Sequence, residues 1–173
     1  MSPHRPRRSV AQLRESYSET VDAVRRHFEQ LEVAVAQFDP DLDEKTLVAA
    51  WESDDPLERN RVALLLGCFE KTYMLLMDLI GLSVKLASRH GAIKDEDASP
   101  LEVLRKQEVL SSDDLAAIES QREVRNTSQH IYVALSMATL RGAVQRQLKT
   151  TPGLIGCVAQ WVETVEARED RVD

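Results

Sequence analysis

Residues 62–87, with the sequence VALLLGCFEKTYMLLMDLIGLSVKLA, determine the architecture that the rest of the chain must adopt. Apolar residues recur in this stretch at intervals of three and four, which is the period of an α-helix. The main stripe consists of Val62, Leu66, Phe69, Tyr73, Leu76, Ile80, Val84 and Ala87. Further apolar residues on either side of it leave little polar surface. We therefore predict a long helix that lies at the centre of a bundle or presents one face to a second subunit.

Two helices are predicted before this central one. Apolar residues follow a helical period from Ser9 onward, and the Asp39-Pro40 pair should end that helix, because the residue before a proline avoids helical conformation. A shorter helix is expected from Asp43 to Ser53. The central helix then begins after the turn that Pro56 closes.

The segments after the central helix carry clear start and stop signals. Gly91 is its expected C-cap, because glycine readily adopts the left-handed conformation found there. The order of Ser99-Pro100-Leu101-Glu102 is that of an N-cap, a first-turn proline and a capping-box glutamate, and it predicts a short helix to about Glu108. Ser111 and Asp114 should open the next helix.

The last part of the chain carries two more apolar stripes at helical spacing. One lies between residues 133 and 148, and the other follows Thr151-Pro152, which we expect to begin the final helix. No segment alternates with a period of two over a convincing length. The predicted fold is therefore all-α, an antiparallel helical bundle with additional short helices, in a single domain of residues 9–167. Residues 1–8 form a basic arm that should be disordered, and residues 168–173 should fray.

The net charge excludes one class of function. A formal charge of −7 argues against a protein that coats nucleic acid, since such binding depends on the neutralisation of phosphates. An RNA-directed activity would need a local basic patch instead. The candidates for RNA-binding residues in such a patch are Arg122, Arg125, Arg141 and Arg146.

Cys68 and Cys157 stand alone, without a CxxC spacing or a nearby pair of ligands. They are typical of small core residues in a reducing compartment, so we expect no metal site and no cofactor. The N-terminal basic residues are not followed by an apolar segment, and no run of residues approaches the length of a membrane span. The protein is expected to be cytoplasmic, with no membrane partner.

The residues best suited to chemistry lie in the stretch Arg125-Asn126-Thr127-Ser128-Gln129-His130-Ile131-Tyr132. Cleavage of RNA without a metal needs a base for the 2′-hydroxyl, an acid for the leaving oxygen and a cation for the phosphoryl charge. His130 can exchange a proton near neutral pH, and the Arg125 guanidinium matches a phosphate. One histidine and one arginine per chain are too few for these roles, so we expect two copies facing each other across a two-fold axis.

Two local structures are open for this stretch. If Asn126 caps a helix that begins at Thr127, His130 lies just past a helix N-terminus, whose positive charge attracts phosphate and favours a neutral imidazole. If one helix runs unbroken from Leu115, Arg125 and Tyr132 share one face, and Asn126 and His130 share a neighbouring one. We favour Asn126 as the cap over a supporting contact that holds the imidazole in one tautomer.

The spacing Arg125-x4-His130-x-Tyr132 resembles the signature of the HEPN superfamily, helical domains found in toxin ribonucleases and beside minimal nucleotidyltransferases. The resemblance covers roughly residues 57–144, where a long helix, a helix opened by Ser-Pro and the Arg-Asn helix follow in the family's order. The segment 39–56 and the helix after Pro152 depart from the family pattern.

The resemblance implies the toxin of a toxin–antitoxin system. It implies that Arg125 and His130 are the catalytic residues of a metal-independent endoribonuclease, brought together as a composite site in a homodimer. It also implies that a minimal nucleotidyltransferase antitoxin attaches adenylate to Tyr132. A bulky anion at Tyr132 would fill the site and repel RNA.

Two other functions remain open. One branch of the superfamily resembles a non-catalytic, substrate-binding partner of a nucleotidyltransferase and has Thr and Ser after the Arg-Asn pair, as Thr127 and Ser128 are here. The second is a dimeric helical scaffold in which the motif only stabilises the interface.

Overall fold

The computed structural model describes residues 8–38, 42–93, 98–130 and 136–169, except for the side chains of Gln129, His130 and Glu169. These residues form six helices, and none of them is in a β-strand. The helices are α1 (Val10–Ala36), α2 (Glu44–Glu52), α3 (Pro56–Arg89), α4 (Pro100–Lys106), α5 (Ser112–His130) and α6 (Met137–Glu169). The predicted all-α fold is confirmed.

Helix α3 occupies the centre of the bundle, as its apolar pattern predicts. It packs most extensively against α1 and also contacts α2, α4, α5 and α6. Phe69, Leu76 and Ile80 are completely buried on its inward side. Burial of such side chains contributes about 1.5–3 kcal/mol each, so the inward side of α3 supplies much of the stability of the core.

The helix ends follow the capping residues of the sequence. Gly91, just past the end of α3, has φ of 69°, the left-handed conformation expected after a helix. The Ser99 hydroxyl accepts the N–H of Glu102 at 3.3 Å at the start of α4. Ser111 and Asp114 exchange hydrogen bonds of 2.9 and 3.1 Å at the start of α5. These caps are local, which is why the sequence predicts them.

Helix α1 runs antiparallel to α3 and α6, which run parallel to each other. Leu13, at the start of α1, packs with Leu86, near the end of α3, and with Val162, near the end of α6. Arg14 forms an ion pair of 2.9 Å with Glu166, which again joins the start of α1 to the end of α6. Helix α1 therefore runs opposite to both α3 and α6, and the predicted antiparallel bundle is confirmed.

The prediction that Thr151-Pro152 begins a separate helix is wrong. Helix α6 continues through Pro152 as far as Glu169. An interior proline costs about 3 kcal/mol, because it removes a backbone hydrogen bond. Leu148 and Leu154, on either side of Pro152, both pack into the core, and their burial offsets this cost.

Helix α1 ends at Ala36, three residues before the Asp39-Pro40 pair that was expected to end it. The pair itself lies outside the described residues. Residues 1–7 and 170–173 also lie outside them, whereas Arg8 donates a hydrogen bond of 3.3 Å to Ser16. Helix α6 includes residues 168 and 169, which the sequence placed in the fraying tail.

Candidate functional site

Of the stretch that the sequence singles out, residues 125–130 belong to α5, and Ile131 and Tyr132 lie outside the described residues. The helix runs unbroken to His130, so the predicted helix start at Thr127 and the predicted cap at Asn126 are wrong. The Thr127 hydroxyl donates instead to the carbonyl of Glu123, one turn earlier, at 2.9 Å. Continuation of the helix buries Ser128 against the bundle, and a break at Asn126 would forfeit this burial.

Because α5 is unbroken, position 130 does not lie near the start of a helix. Position 130 belongs to α5, which begins at Ser112, so it does not lie just past a helix N-terminus as the cap at Asn126 would have placed it. Asn126 and position 130 lie one turn apart on the same face. The His130 side chain and all of Tyr132 lie outside the described residues, and their roles stay predictions.

Arg125 is half-buried and reaches along α5 to its neighbour. Its Nη1 donates a hydrogen bond of 3.3 Å to Oδ1 of Asn126. Its Nε is buried and has no hydrogen-bond partner among the described residues. Arg122, by contrast, lies 3.4 Å from the carboxylate of Glu119. The charge of Arg125 is therefore not neutralised by a described ion pair, and its guanidinium donates a hydrogen bond to Asn126, which lies one turn before position 130.

A hydrogen bond between α5 and α3 holds this region in place. The hydroxyl of Ser128, which is 2% exposed, donates to the carboxylate of Glu70 and also lies 2.7 Å from the carbonyl of Arg125. Sequence reasoning did not single out Glu70. The sequence feature that could have identified Glu70 is its position three residues before Tyr73. This spacing puts its carboxylate at the edge of the buried face of the helix.

Tyr73 lies one turn after Glu70 on α3 and is almost completely buried. Burial raises the pKa of its phenol, the positive charge of Arg122 lowers it, Glu119 raises it, and Arg125 lowers it again. These charges act on Tyr73 because α5 brings them close to it. We call this group the α3–α5 junction; it consists of Glu70, Tyr73, Arg122, Arg125 and Ser128.

A buried polar bridge supports the junction from inside the bundle. Gln147 of α6 is completely buried, and its Nε2 donates to the carbonyl of Phe69 at 3.2 Å and to Oε1 of Gln121 at 3.1 Å. Gln121 lies one turn before Arg125 on α5. The bridge therefore ties α3, α5 and α6 together directly beside the residues of the junction.

The other two arginines of the predicted RNA-binding patch belong to α6. Arg141 lines a cavity of about 540 Å³ beside α2, together with the acidic residues Asp43, Glu44 and Glu52. Arg146 is exposed on the surface of α6. The structure thus brings Arg122 and Arg125 together and gives Arg141 acidic surroundings of its own, because α2 packs against α6 at that point.

The two cysteines differ in their surroundings. Cys68 is buried, and burial raises the pKa of its thiol. Cys157 is exposed, so the prediction that it is a core residue is wrong. Among the residues that the structure describes, no three His, Cys, Asp or Glu side chains are grouped closely enough to hold a metal ion. The same part of the chain has no helix with the length and hydropathy needed to cross a membrane.

Comparisons with known proteins assign no family to the chain. No protein-family model matches it, and neither a curated protein nor a solved structure does so. The resemblance to the HEPN superfamily therefore rests on the motif and helix order in the sequence. The α3–α5 junction is the part of the described structure that bears on function.

Proposed function

We propose that this protein is a homodimeric, metal-independent endoribonuclease that acts in the cytosol as the toxin of a toxin–antitoxin system. The observation that carries the proposal is that Arg125 is half-buried without an ion-pair partner among the described residues. Its guanidinium donates a hydrogen bond to Asn126, one turn before position 130. A half-buried cation without a counter-charge favours an anionic ligand, and a phosphate matches the geometry of a guanidinium.

The reaction is an internal transesterification of RNA. His130 of one chain takes the proton of a 2′-hydroxyl, and the 2′-oxygen forms a bond to the adjacent phosphorus. The bond from phosphorus to the 5′-oxygen breaks, and a protonated His130 of the other chain gives its proton to that oxygen. Arg125 stabilises the charge on the phosphoryl oxygens. One proton is taken and one is returned, so the step needs no oxidant or reductant.

The need for a dimer follows from the number of groups. Each chain has one histidine and one arginine in the motif, and the reaction uses both an acid and a base. Two-fold symmetry supplies the second copy of each from the same sequence. The proposal therefore requires an interface that brings the two α3–α5 junctions together.

Inhibition by a nucleotidyltransferase antitoxin completes the proposal. The Tyr132 hydroxyl attacks the α-phosphorus of ATP, forms a phosphodiester to adenylate and releases pyrophosphate. Tyr132 is two residues past position 130 in the sequence. An adenylate there would add a negative charge and a large group to the motif and would exclude RNA.

The hydroxyls of Thr127 and Ser128 bear on the non-catalytic alternative. Ser128 binds Glu70, and Thr127 binds the carbonyl of Glu123, so both have structural partners in the fold. Neither hydroxyl requires a substrate of a partner enzyme to account for it. This favours the ribonuclease over a substrate-binding partner of a nucleotidyltransferase.

RNA cleavage in the presence of EDTA tests the proposed activity. The parent protein should cut RNA, and Arg125→Ala and His130→Ala should each lose at least about a hundredfold in rate, the usual contribution of a catalytic group. Arg89→Ala, at an exposed arginine at the end of α3, is the matched control and should retain the activity. Cleavage that persists in both site variants would refute the assignment.

Co-expression with a candidate nucleotidyltransferase tests the inhibition. Mass spectrometry should find one adenylate on Tyr132 in the parent chain and none in Tyr132→Phe. Expression alone should arrest growth, and His130→Ala should relieve the arrest. An unmodified Tyr132 in an inactivated complex would remove adenylylation from the proposal and leave the ribonuclease standing.

A further inference from the structure

One long side of α3 is largely exposed and carries several apolar side chains, and its C-terminal part borders α1, with which Asp78, Gly81 and Lys85 line a cavity. Three of the five large apolar residues that are exposed in the described part of the chain belong to this helix. They are Leu57 at 71%, Leu64 at 48% and Met74 at 41% exposure. We call this side the outer face of α3; it consists of Leu57, Leu64, Gly67, Lys71, Met74, Asp78, Gly81 and Lys85. From Leu57 to Lys85 it is about 42 Å long.

The charges of the outer face are self-complementary. Lys71 and Asp78 are both exposed, and neither forms an ion pair or hydrogen bond with another described residue. They lie about 10.5 Å apart along the helix, too far to pair with each other. Consider a second copy of α3 that runs antiparallel and crosses the first at Met74. Measured along the helix axis, Lys71 of each chain then lies within about 1.5 Å of Asp78 of the other chain. One crossing therefore creates two equivalent ion pairs.

The two glycines of the outer face, Gly67 and Gly81, are also placed symmetrically about Met74. Gly67 and Gly81 lie seven residues before and after Met74, so each meets the other's position in the antiparallel copy. A Cβ atom at either glycine would meet nothing within 4 Å inside the chain. Each glycine costs about 1 kcal/mol relative to alanine in a helix. Close approach of a second helix is a physical reason for this cost that the single chain does not offer.

We propose that the outer face of α3 binds a second copy of this chain, antiparallel and with its two-fold axis at Met74. A second copy is the occupant that the charge pattern favours, because Lys71 and Asp78 of one chain then lie opposite Asp78 and Lys71 of the other. The exposed apolar side chains of Leu64 and Met74 lose contact with water in this arrangement. A homodimer interface of this kind is isologous, because the same patch is used on both subunits.

The position of the two-fold axis would bring the candidate sites of the two chains together. Glu70 contacts Ser128, and Tyr73 lies beside Arg122 and Arg125, so these arginines are at nearly the same height along α3 as Met74. A two-fold rotation that pairs antiparallel helices leaves both α5 helices on the same side of the seam. Arg122 and Arg125 of the two copies then line one shared groove. The interface stands without the ribonuclease, whereas the shared groove rests on the proposed function.

Charge reversal tests the interface in the full chain. Sedimentation velocity should give twice the 19.5 kDa mass of one chain. Lys71→Asp or Asp78→Lys alone brings like charges together and should raise the dissociation constant of the dimer on the order of tenfold to a hundredfold. The two reversals combined restore opposite charges and should recover the dimer. Lys149→Asp, at an exposed lysine of α6, is the matched control and should leave the constant unchanged.

A cross-link tests the position of the axis. Met74→Cys in a chain that also carries Cys157→Ser should form a covalent dimer on oxidation with copper–phenanthroline in air. The parent chain is an internal control, since its Cys157 is exposed on α6 and should not cross-link at a comparable rate. A monomeric parent chain, a dimer that neither reversal weakens, or cross-linking at Cys157 but not at position 74 would overturn the interface.

RNA cleavage measured on the same variants separates the two proposals. A dimer that depends on Lys71 and Asp78 but cuts no RNA supports the interface and refutes the ribonuclease. A ribonuclease whose dimer tolerates both single reversals overturns the interface and leaves the activity. Cleavage that falls with each single reversal and returns in the double variant supports the shared groove.

Discussion

The hydroxyl of Ser128 in α5 donates a hydrogen bond to the carboxylate of Glu70 in α3, one turn from Arg125. This contact joins the helix of the candidate site to the central helix of the bundle. The two residues are far apart in the chain, so their contact depends on the packing of α5 as a whole. It holds Arg125 at the surface that the outer face of α3 borders.

Loss of this contact should weaken the fold. We expect Ser128→Ala to lower the free energy of unfolding by about 1–2 kcal/mol, because a partly buried carboxylate loses its donor. Urea denaturation measures the change. Thr127→Ala is the neighbouring control, since the Thr127 hydroxyl is exposed and bonds only within α5, and its effect should be within about 0.5 kcal/mol. Equal losses in the two variants would contradict a specific role for the Ser128–Glu70 contact.

The buried bridge between Gln121 and Gln147 should show strong coupling. Gln147→Leu leaves Oε1 of Gln121 without its donor, so we expect a loss of about 1–3 kcal/mol. Gln121→Leu should cost a similar amount. The double variant removes both amides and should lose less than the sum of the two, by about 1 kcal/mol or more. Strictly additive losses in denaturant unfolding would show that the bridge contributes nothing as a pair.

Helix α6 should become more stable when its interior proline is removed. Pro152 is exposed, and Pro152→Ala restores a backbone donor in a helix that is already continuous. We expect the free energy of unfolding to rise by about 1–3 kcal/mol. Gly153→Ala, where a Cβ meets nothing within 4 Å, should add about 1 kcal/mol by helix propensity alone. A loss of stability in Pro152→Ala would indicate that the packing of α6 depends on a bend at this residue.

Alkaline pH should destabilise the protein through Tyr73. Because burial raises the pKa of this phenol, the folded chain holds the proton more tightly than the unfolded chain does. The resulting stabilisation is complete below the ordinary tyrosine pKa of about 10 and is lost as pH rises through the higher pKa of the folded state. We expect Tyr73→Phe to lose stability less steeply than the parent chain as pH rises above about 10.

Tyr17 provides the comparison for this pH dependence. Its pKa is also raised, first by burial and then by Glu163 and Glu166, so Tyr17→Phe should have an effect of the same sign. Denaturation at a series of pH values measures both variants. If both phenylalanine variants lose stability with rising pH as steeply as the parent chain does, groups other than these two tyrosines cause the loss of stability at alkaline pH.

The sequence by itself determined the helical class, the central place of α3 and most helix ends. Helical periodicity and capping depend on residues within a few positions of one another, as at Gly91, Ser99 and Ser111. The Arg125 motif is visible for the same reason, since its residues are neighbours in the chain. Local rules were sufficient wherever the stabilising partners were also local.

Only the tertiary structure decided whether a local stop signal was obeyed. Asn126 and Pro152 both resemble helix starts, yet α5 and α6 continue through them. Continuation lets Ser128 reach Glu70 and lets Leu154 enter the core, and these gains come from distant residues. The sequence does not reveal such gains, because they depend on which helices are neighbours. Packing across the bundle therefore settled the geometry of the candidate site.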